Sequence, residues 1–259
     1  MRIRYQTYKT YRWLVLVAVF WLASCSTENA PDCFQTSGDL ISEEIPVSVF
    51  NSITVFENIE LILSSGPEQS VQVVTGENLR NEITAEVVDD RLILRNENGC
   101  NFLRSYGKTK FYVTTPALEE IRSSTGSPIR SEGILTVDEL RLISESFNNP
   151  EAETTDGSFE LDVNATKIAI VANGIAYFAI NGVTEEFAIT VAAGDSRIEA
   201  NGLVADRISL NHRGTNDILI RPQSSLSGVI RGTGDVISYN RPDSVDIAIL
   251  YKGKLIFKD

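Results

Sequence analysis

The sequence predicts an all-β protein: a parallel β-helix-like solenoid with about 20 residues per coil, preceded by an N-terminal β-sheet region that caps it. Three observations predict it. Glycines recur at one constant interval, at Gly174, Gly194, Gly214 and Gly234. Eight positions after each stands a second turn former, Gly182, Gly202, Pro222 and Pro242, preceded by Asn181, Asn201, Arg221 and Arg241. Between the turns lie alternating runs such as Phe178 and Ile180, Ile198 and Ala200, Ile218 and Ile220, the period-two pattern of half-buried strands. A unit of two strands and two turns cannot bury its apolar face alone, so it must stack on copies of itself.

Residues 1–24 read as a targeting segment, with Arg2, Arg4, Lys9 and Arg12 ahead of an apolar run from Trp13 to Ala23. A membrane span needs roughly 17 to 25 apolar residues, whereas the apolar part of a signal peptide takes about 7 to 15. The run ends in Leu22-Ala23-Ser24-Cys25, which resembles the lipobox of bacterial lipoproteins. That resemblance implies cleavage before Cys25, acylation of its thiol, and attachment to a membrane by lipid rather than by a helix. The expected localisation is the bacterial cell envelope, the outer membrane foremost. Removal of four basic residues with the signal takes the formal net charge from −12 to about −16. Such a balance argues against nucleic acid and anionic lipid surfaces as partners, since both reward positive charge.

Residues 25–44, with Pro31, Gly38 and several polar residues, read as a tether. An oxidising compartment permits Cys33 and Cys100 to pair, closing a loop whose entropy is worth ~4 kcal/mol. Residues 45–118 form the N-terminal β region, with strand patterns at 47–50, 53–56, 59–63, 71–75, 83–88, 91–95 and 110–114. A tight hairpin is expected at Asp89-Asp90 and a helical turn at 77–80.

Residues 119–259 hold the coils. Leu118, Ile121, Gly126, Ile129, Gly133 and Leu135 mark a first one, and 140–144 starts another. The step from Leu140 to Lys167 is longer than the interval between the glycines, so the second coil carries a surplus. The surplus falls in 147–156, which contains Phe147, Asn148, Asn149, Glu151, Glu153 and Asp156. Insertions in a solenoid map to loops on one face, often the binding face, and this loop is the binding candidate. Phe187, Ile189 and Val191 sit one position out of step with Ile168 and Ile170, which a bulge or a compensating turn must absorb. The chain closes on a capping strand around Lys252-Gly253-Lys254, whose lysines guard the edge.

The motifs Phe50-Asn51-Ser52-Ile53-Thr54-Val55, Val71-Gln72-Val73 with Gly76-Glu77-Asn78-Leu79, Tyr112-Val113-Thr114-Thr115-Pro116 with Leu118 and Ile121, and Gly232-Thr233-Gly234-Asp235-Val236 resemble, in this order, the head GIN domain family of autotransporter adhesins. The resemblance covers roughly 45–259 and implies a β-helix-like fold with no catalytic residues. Ala193-Gly194-Asp195 and Arg213-Gly214-Thr215-Asn216-Asp217 are looser versions of the last turn, and Phe147-Asn148-Asn149 lacks its glycine.

No catalytic, metal or cofactor set stands out. Two cysteines and one histidine are too few for a transition-metal site, and Glu151, Glu153 and Asp156 have no defined calcium-ligand spacing. His212 reads as a surface turn histidine, since no nucleophile-elbow sequence accompanies it. Tyr106, Tyr177, Tyr239 and Tyr251 read as half-buried strand residues with hydroxyls at the rim. The repeat-turn residues Gly174, Gly194, Gly214, Gly234 and Asp235 read as scaffold. The expected function is a non-catalytic, lipid-anchored scaffold that binds a protein or glycan. Two alternatives stand beside it. One is a polysaccharide lyase or hydrolase built on Asp195, Asp217 and Asp235 with Arg197, Arg213 and Arg231; the other is a purely structural envelope component.

Overall fold

The computed structural model describes residues 36–99 and 109–258. The lipidation residue Cys25, the disulfide candidates Cys33 and Cys100, and Tyr106 lie outside these. Among the described residues sixteen strands join one sheet, so the fold is all-β. The first eight are short: β1 (Leu40–Glu44), β2 (Ser52–Val55), β3 (Ile59–Ser65), β4 (Ser70–Gly76), β5 (Ile83–Val88), β6 (Arg91–Asn96), β7 (Thr109–Thr115) and β8 (Glu120–Ser123). Five long strands follow, β9 (Pro128–Ser144), β10 (Ser158–Ala172), β11 (Tyr177–Val191), β12 (Arg197–His212) and β13 (Ile218–Ile230). The chain ends with β14 (Val236–Ser238), β15 (Ser244–Ile249) and β16 (Leu255–Phe257).

The expected hairpin is present. β5 and β6 pair antiparallel from Ile83 opposite Asn96 to Val88 opposite Arg91, and Asp89 and Asp90 both take positive φ, at 50° and 59°. Two left-handed residues match the twist of a tight hairpin, and Asp tolerates that region better than most side chains. The expected helical turn is a 3-10 turn over Glu77–Glu82. Other stretches differ from expectation. The second turn positions Asn181-Gly182, Asn201-Gly202 and Arg221-Pro222 lie inside β11, β12 and β13, so each of these units is one long strand. Within the proposed tether, Leu40–Glu44 pairs antiparallel with β4 and forms an edge strand. At 47–50 no strand forms, because the Gln69 side chain takes the partner's place: its amide donates to the Ser48 carbonyl at 2.9 Å and accepts the Phe50 N–H at 3.2 Å.

From β9 to β14 each strand pairs parallel with the next, and β15 and β16 then pair parallel with β13 and β14. β10 and β11 stay in unbroken register from Ser158 opposite Tyr177 to Ala172 opposite Val191. Ile168 therefore faces Phe187 and Ile170 faces Ile189, so no bulge is needed between these two strands. The offset is absorbed in the turns, since 173–176 is one position shorter than 192–196. A further shift between Ala179 and Asn181 separates β11 from β12.

In-register parallel pairing sets like against like in the interior. One buried row runs Phe111, Leu61, Ile129, Phe159, Phe178, Ile198, Ile218 and Val236. Within it the Phe159 and Phe178 rings stack at 4.8 Å and 5°, worth about 0.5–1.5 kcal/mol beyond their burial. A second row runs Ile53, Ile121, Leu142, Ile170, Ile189 and Leu210. Each fully buried aliphatic or aromatic side chain contributes roughly 1.5–3 kcal/mol. Both rows pass into the N-terminal strands, as β3 and β8 each pair in parallel with β9.

Candidate functional site

Strand ends at Ser144, Ala172, Val191, His212, Ile230 and Ile249 are register partners of one another. The residues that follow therefore line one edge of the sheet. Asn173, Ala192, Arg213, Arg231 and Leu250 each donate their N–H to the preceding strand end, at 3.1, 2.8, 2.9, 2.7 and 2.9 Å.

The glycine turns nest inside this edge. Asp195 N–H bonds the Gly174 carbonyl at 2.8 Å, Thr215 N–H the Gly194 carbonyl at 2.9 Å, and Thr233 N–H the Gly214 carbonyl at 3.2 Å. At Gly194, φ is +87° and a Cβ would fall 2.2 Å from the Gly174 carbonyl oxygen, so no side chain fits. The column shifts at its fourth member. Val236 is the register partner of Ile218, a shorter step along the chain than the one from Gly214 to Gly234. Gly232 therefore packs against Gly214, and Gly234 packs against Asn216.

The aspartates of these turns serve the backbone. Asp217 Oδ1 accepts the Asp235 N–H at 2.9 Å, and Asp235 Oδ1 accepts the Lys254 N–H at 2.8 Å. The Thr215 hydroxyl donates to the Asp195 carboxylate. Of the arginines grouped with them, Arg197 pairs with Glu199 at 2.6 Å and reaches Asp217 only at 4.0 Å. Tyr177 donates to the same Glu199 at 2.7 Å. Hydrogen bonds from Arg197 and Tyr177 hold the Glu199 carboxyl below its ordinary value, while the bond to Glu199, with burial second, raises the Tyr177 hydroxyl. Asp217 and Asp235 thus make backbone hydrogen bonds, the turn chemistry of aspartate, while Asp195 accepts from a side chain.

The insertion loop between β9 and β10 adjoins the same edge. Glu145 is 5% exposed; its Oε2 accepts the N–H groups of Phe147 at 2.9 Å and Asn148 at 3.0 Å, and its Oε1 accepts the Asn149 side-chain amide. Ser146 N–H bonds Asn173 Oδ1 at 3.2 Å, tying the loop to the next turn. A buried carboxylate with this many donors fixes the backbone around it. Phe147 is nevertheless 86% exposed, and Ile175 on the following turn is 65% exposed.

Residues 49–242 match the family described as "Putative auto-transporter adhesin, head GIN domain". The chain belongs to that family. A comparison with curated proteins gave no match. Among solved structures, this head GIN domain is similar to a putative adhesin from Bacteroides fragilis, with 21% identity, 86% of this chain and 99% of that one covered, and a TM-score of 0.73. A putative adhesin from Parabacteroides distasonis has 19% identity, the same 86% and 99% coverage, and a TM-score of 0.63. A structure from the same species described as a putative lipid binding protein has 16% identity, covers 86% of this chain and 98% of its own, and has a TM-score of 0.59.

Several sequence-picked residues of the head GIN domain lie elsewhere than expected. Asn149 is buried and holds Glu145 instead of facing outward. Glu151 and Glu153 turn back toward the N-terminal strands, to Arg122 at 3.7 Å and Arg95 at 3.9 Å. The Asp156 carboxylate accepts from Thr154 and lies beside Gly126. A hydrogen bond with Glu153, followed by burial and the charge of Asp156, raises the Glu57 carboxyl. Among the described residues no cluster of three metal-ligating side chains forms. His212 is not on the surface: it is 0% exposed, because as the last residue of β12 it occupies an inward position between Val191 and Ile230. Its Nδ1 accepts the Gly214 N–H at 3.4 Å, and burial lowers its pKa. Glu145 was missed by sequence reasoning; its signal is an acidic residue directly before the turn formers Asn148 and Asn149.

Proposed function

We propose that this head GIN domain protein is a lipid-anchored component of the bacterial cell envelope. Its β coils form a solenoid scaffold for non-catalytic binding of a protein or glycan, and the contact site is the 145–157 loop with the turn edge beside it. The observation that carries this reading is the presentation of Phe147. A large apolar side chain held out to solvent on a backbone fixed by Glu145 loses little freedom on binding, as suits an anchor residue. The solenoid reading is supported by parallel pairing from β10 to β16, in which each residue meets its counterpart close to one glycine interval further along the chain. Binding is favoured over catalysis because Asp217 and Asp235 are engaged by backbone amides of the following coil.

The test uses the soluble chain from Ser26, applied to envelope extracts and to a glycan array, with Phe147→Ala and a deletion of 147–156 as comparisons. One retained partner, lost in both variants while their melting temperatures stay near that of the parent, supports the reading. Equal retention by Phe147→Ala removes the loop from it. Since one solved neighbour is described as lipid binding, vesicle flotation of the same soluble chain belongs in the set. Palmitate labelling of the full chain, abolished by Cys25→Ser, tests the anchor.

A further inference from the structure

The turn edge carries two arginines that stand outside the ion pairs of the sheet. All eight arginines from Arg80 to Arg207 among the described residues lie within 4.0 Å of a carboxylate. The four that follow, Arg213, Arg221, Arg231 and Arg241, have no ion pair among the described residues, and of these the exposed Arg213 and Arg231 lie on the turn edge. They also occupy equivalent places in successive coils, each directly after a strand end. Adjacent strands are about 4.8 Å apart, so the two arginines leave the backbone from neighbouring places. The Asp195, Asp217 and Asp235 carboxylates of the same turns keep their charge but bond Thr215 and the Asp235 and Lys254 amides, not these arginines. Two cations so placed can share an anion that bridges them.

The edge continues in both directions. Toward β9 it passes the exposed Ala192 and Ala193, then Ile175 and Phe147; toward the C-terminus it reaches Leu250, Tyr251 and Lys252. Small, cationic and apolar positions thus follow one another along the stacking direction, one coil at a time. We propose that this edge binds a linear polysaccharide bearing carboxylates, laid along the coils with its acid groups on Arg213 and Arg231 and its sugar faces on Phe147 and Tyr251. The inference rests on the binding reading above and names the chemistry of its ligand. A strand-to-strand advance comparable to one sugar unit lets successive residues of such a chain meet successive coils. A thin polymer touches this strip alone, whereas a flat anionic membrane also meets the acidic faces around it, which repel it.

The test is affinity electrophoresis of the chain from Ser26 through gels containing polygalacturonate, alginate or hyaluronate. Dextran and amylose are the neutral controls, and phosphatidylglycerol vesicles are assayed by flotation. At least one acidic polymer should retard the protein, the effect should fade as salt screens it, and Arg213→Gln with Arg231→Gln should weaken binding by about tenfold or more. Arg221→Gln, at an exposed arginine within β13 and off the turn edge, should leave it unchanged. The inference is overturned if none of the three acidic polymers retards the protein, if the double variant binds as the parent does, or if neutral glucans or vesicles bind as well. If the polymers fail while capture from envelope extracts persists and needs 147–156, the inference falls and the binding reading stands; if both fail, so do both.

Discussion

The carboxylate of Asp217 accepts the backbone N–H of Asp235 from the following coil, at 2.9 Å. The bond stands beside a backbone one, from the Ile218 N–H to the Asp235 carbonyl at 2.9 Å, so side chain and main chain together fasten the two turns.

Asp217→Ala should therefore destabilise the fold by about 1–3 kcal/mol, the range for a hydrogen bond to a charged acceptor with a part-buried donor left behind. Asp217→Asn, which keeps an acceptor oxygen, should recover part of that loss. Denaturant unfolding measures both. Were Asp217 a catalytic group instead, stability would stay level.

Glu145→Ala removes the acceptor for two loop amides and the Asn149 side chain. The expected outcome is faster hydrogen exchange at Phe147 and Asn148, with little change in the β10 and β11 core. Partner retention should fall along with loop order, while Phe147→Ala lowers retention and leaves the exchange pattern as it was.

Two glycines with nearly the same φ offer a controlled comparison. At Gly194 a Cβ would meet the Gly174 carbonyl oxygen at 2.2 Å, whereas at Gly133, with φ of +80°, nothing lies within 4 Å. Gly133→Ala should cost about 1–2 kcal/mol, the left-handed backbone penalty alone. Gly194→Ala should cost distinctly more, because the stacked turns must part, and thermal melting would show the difference.

His212 predicts a pH dependence. Burial depresses its pKa in the folded chain, so between the depressed value and the ordinary value of about 6.5 the unfolded chain binds more protons. The stability associated with the neutral imidazole is complete above about pH 6.5 and is lost as pH falls through the folded pKa. His212→Leu should flatten the stability curve in that window. An unchanged slope would assign the acid sensitivity to carboxylates.

Much of the fold is legible in sequence because its determinants are local and repeated. Gly174 and Gly194 announce their turns, and Asp89-Asp90 announces a hairpin. What was not legible depends on partners distant in the chain. Leu40–Glu44 becomes a strand because β4 offers an edge, 47–50 fails to become one because Gln69 occupies its hydrogen bonds, and His212 looks exposed until its strand end is placed between Val191 and Ile230. The loop was visible as surplus length, but the carboxylate that orders it stands just before the surplus. Arg213 and Arg231 were noted beside the aspartates, but only register shows that they follow equivalent strand ends and only geometry shows which atoms the aspartates bond.

The unbroken β10–β11 register carries an architectural corollary. Because Ser158 faces Tyr177 and the match holds to Ala172 opposite Val191, excising or duplicating the stretch from Ser158 to Ala176 keeps every inward side chain in phase. The strand with its turn is then a unit of width, and adding one extends the sheet by about 4.8 Å without redesigning its interior. The number of such strands sets how far apart the two edges of the sheet lie.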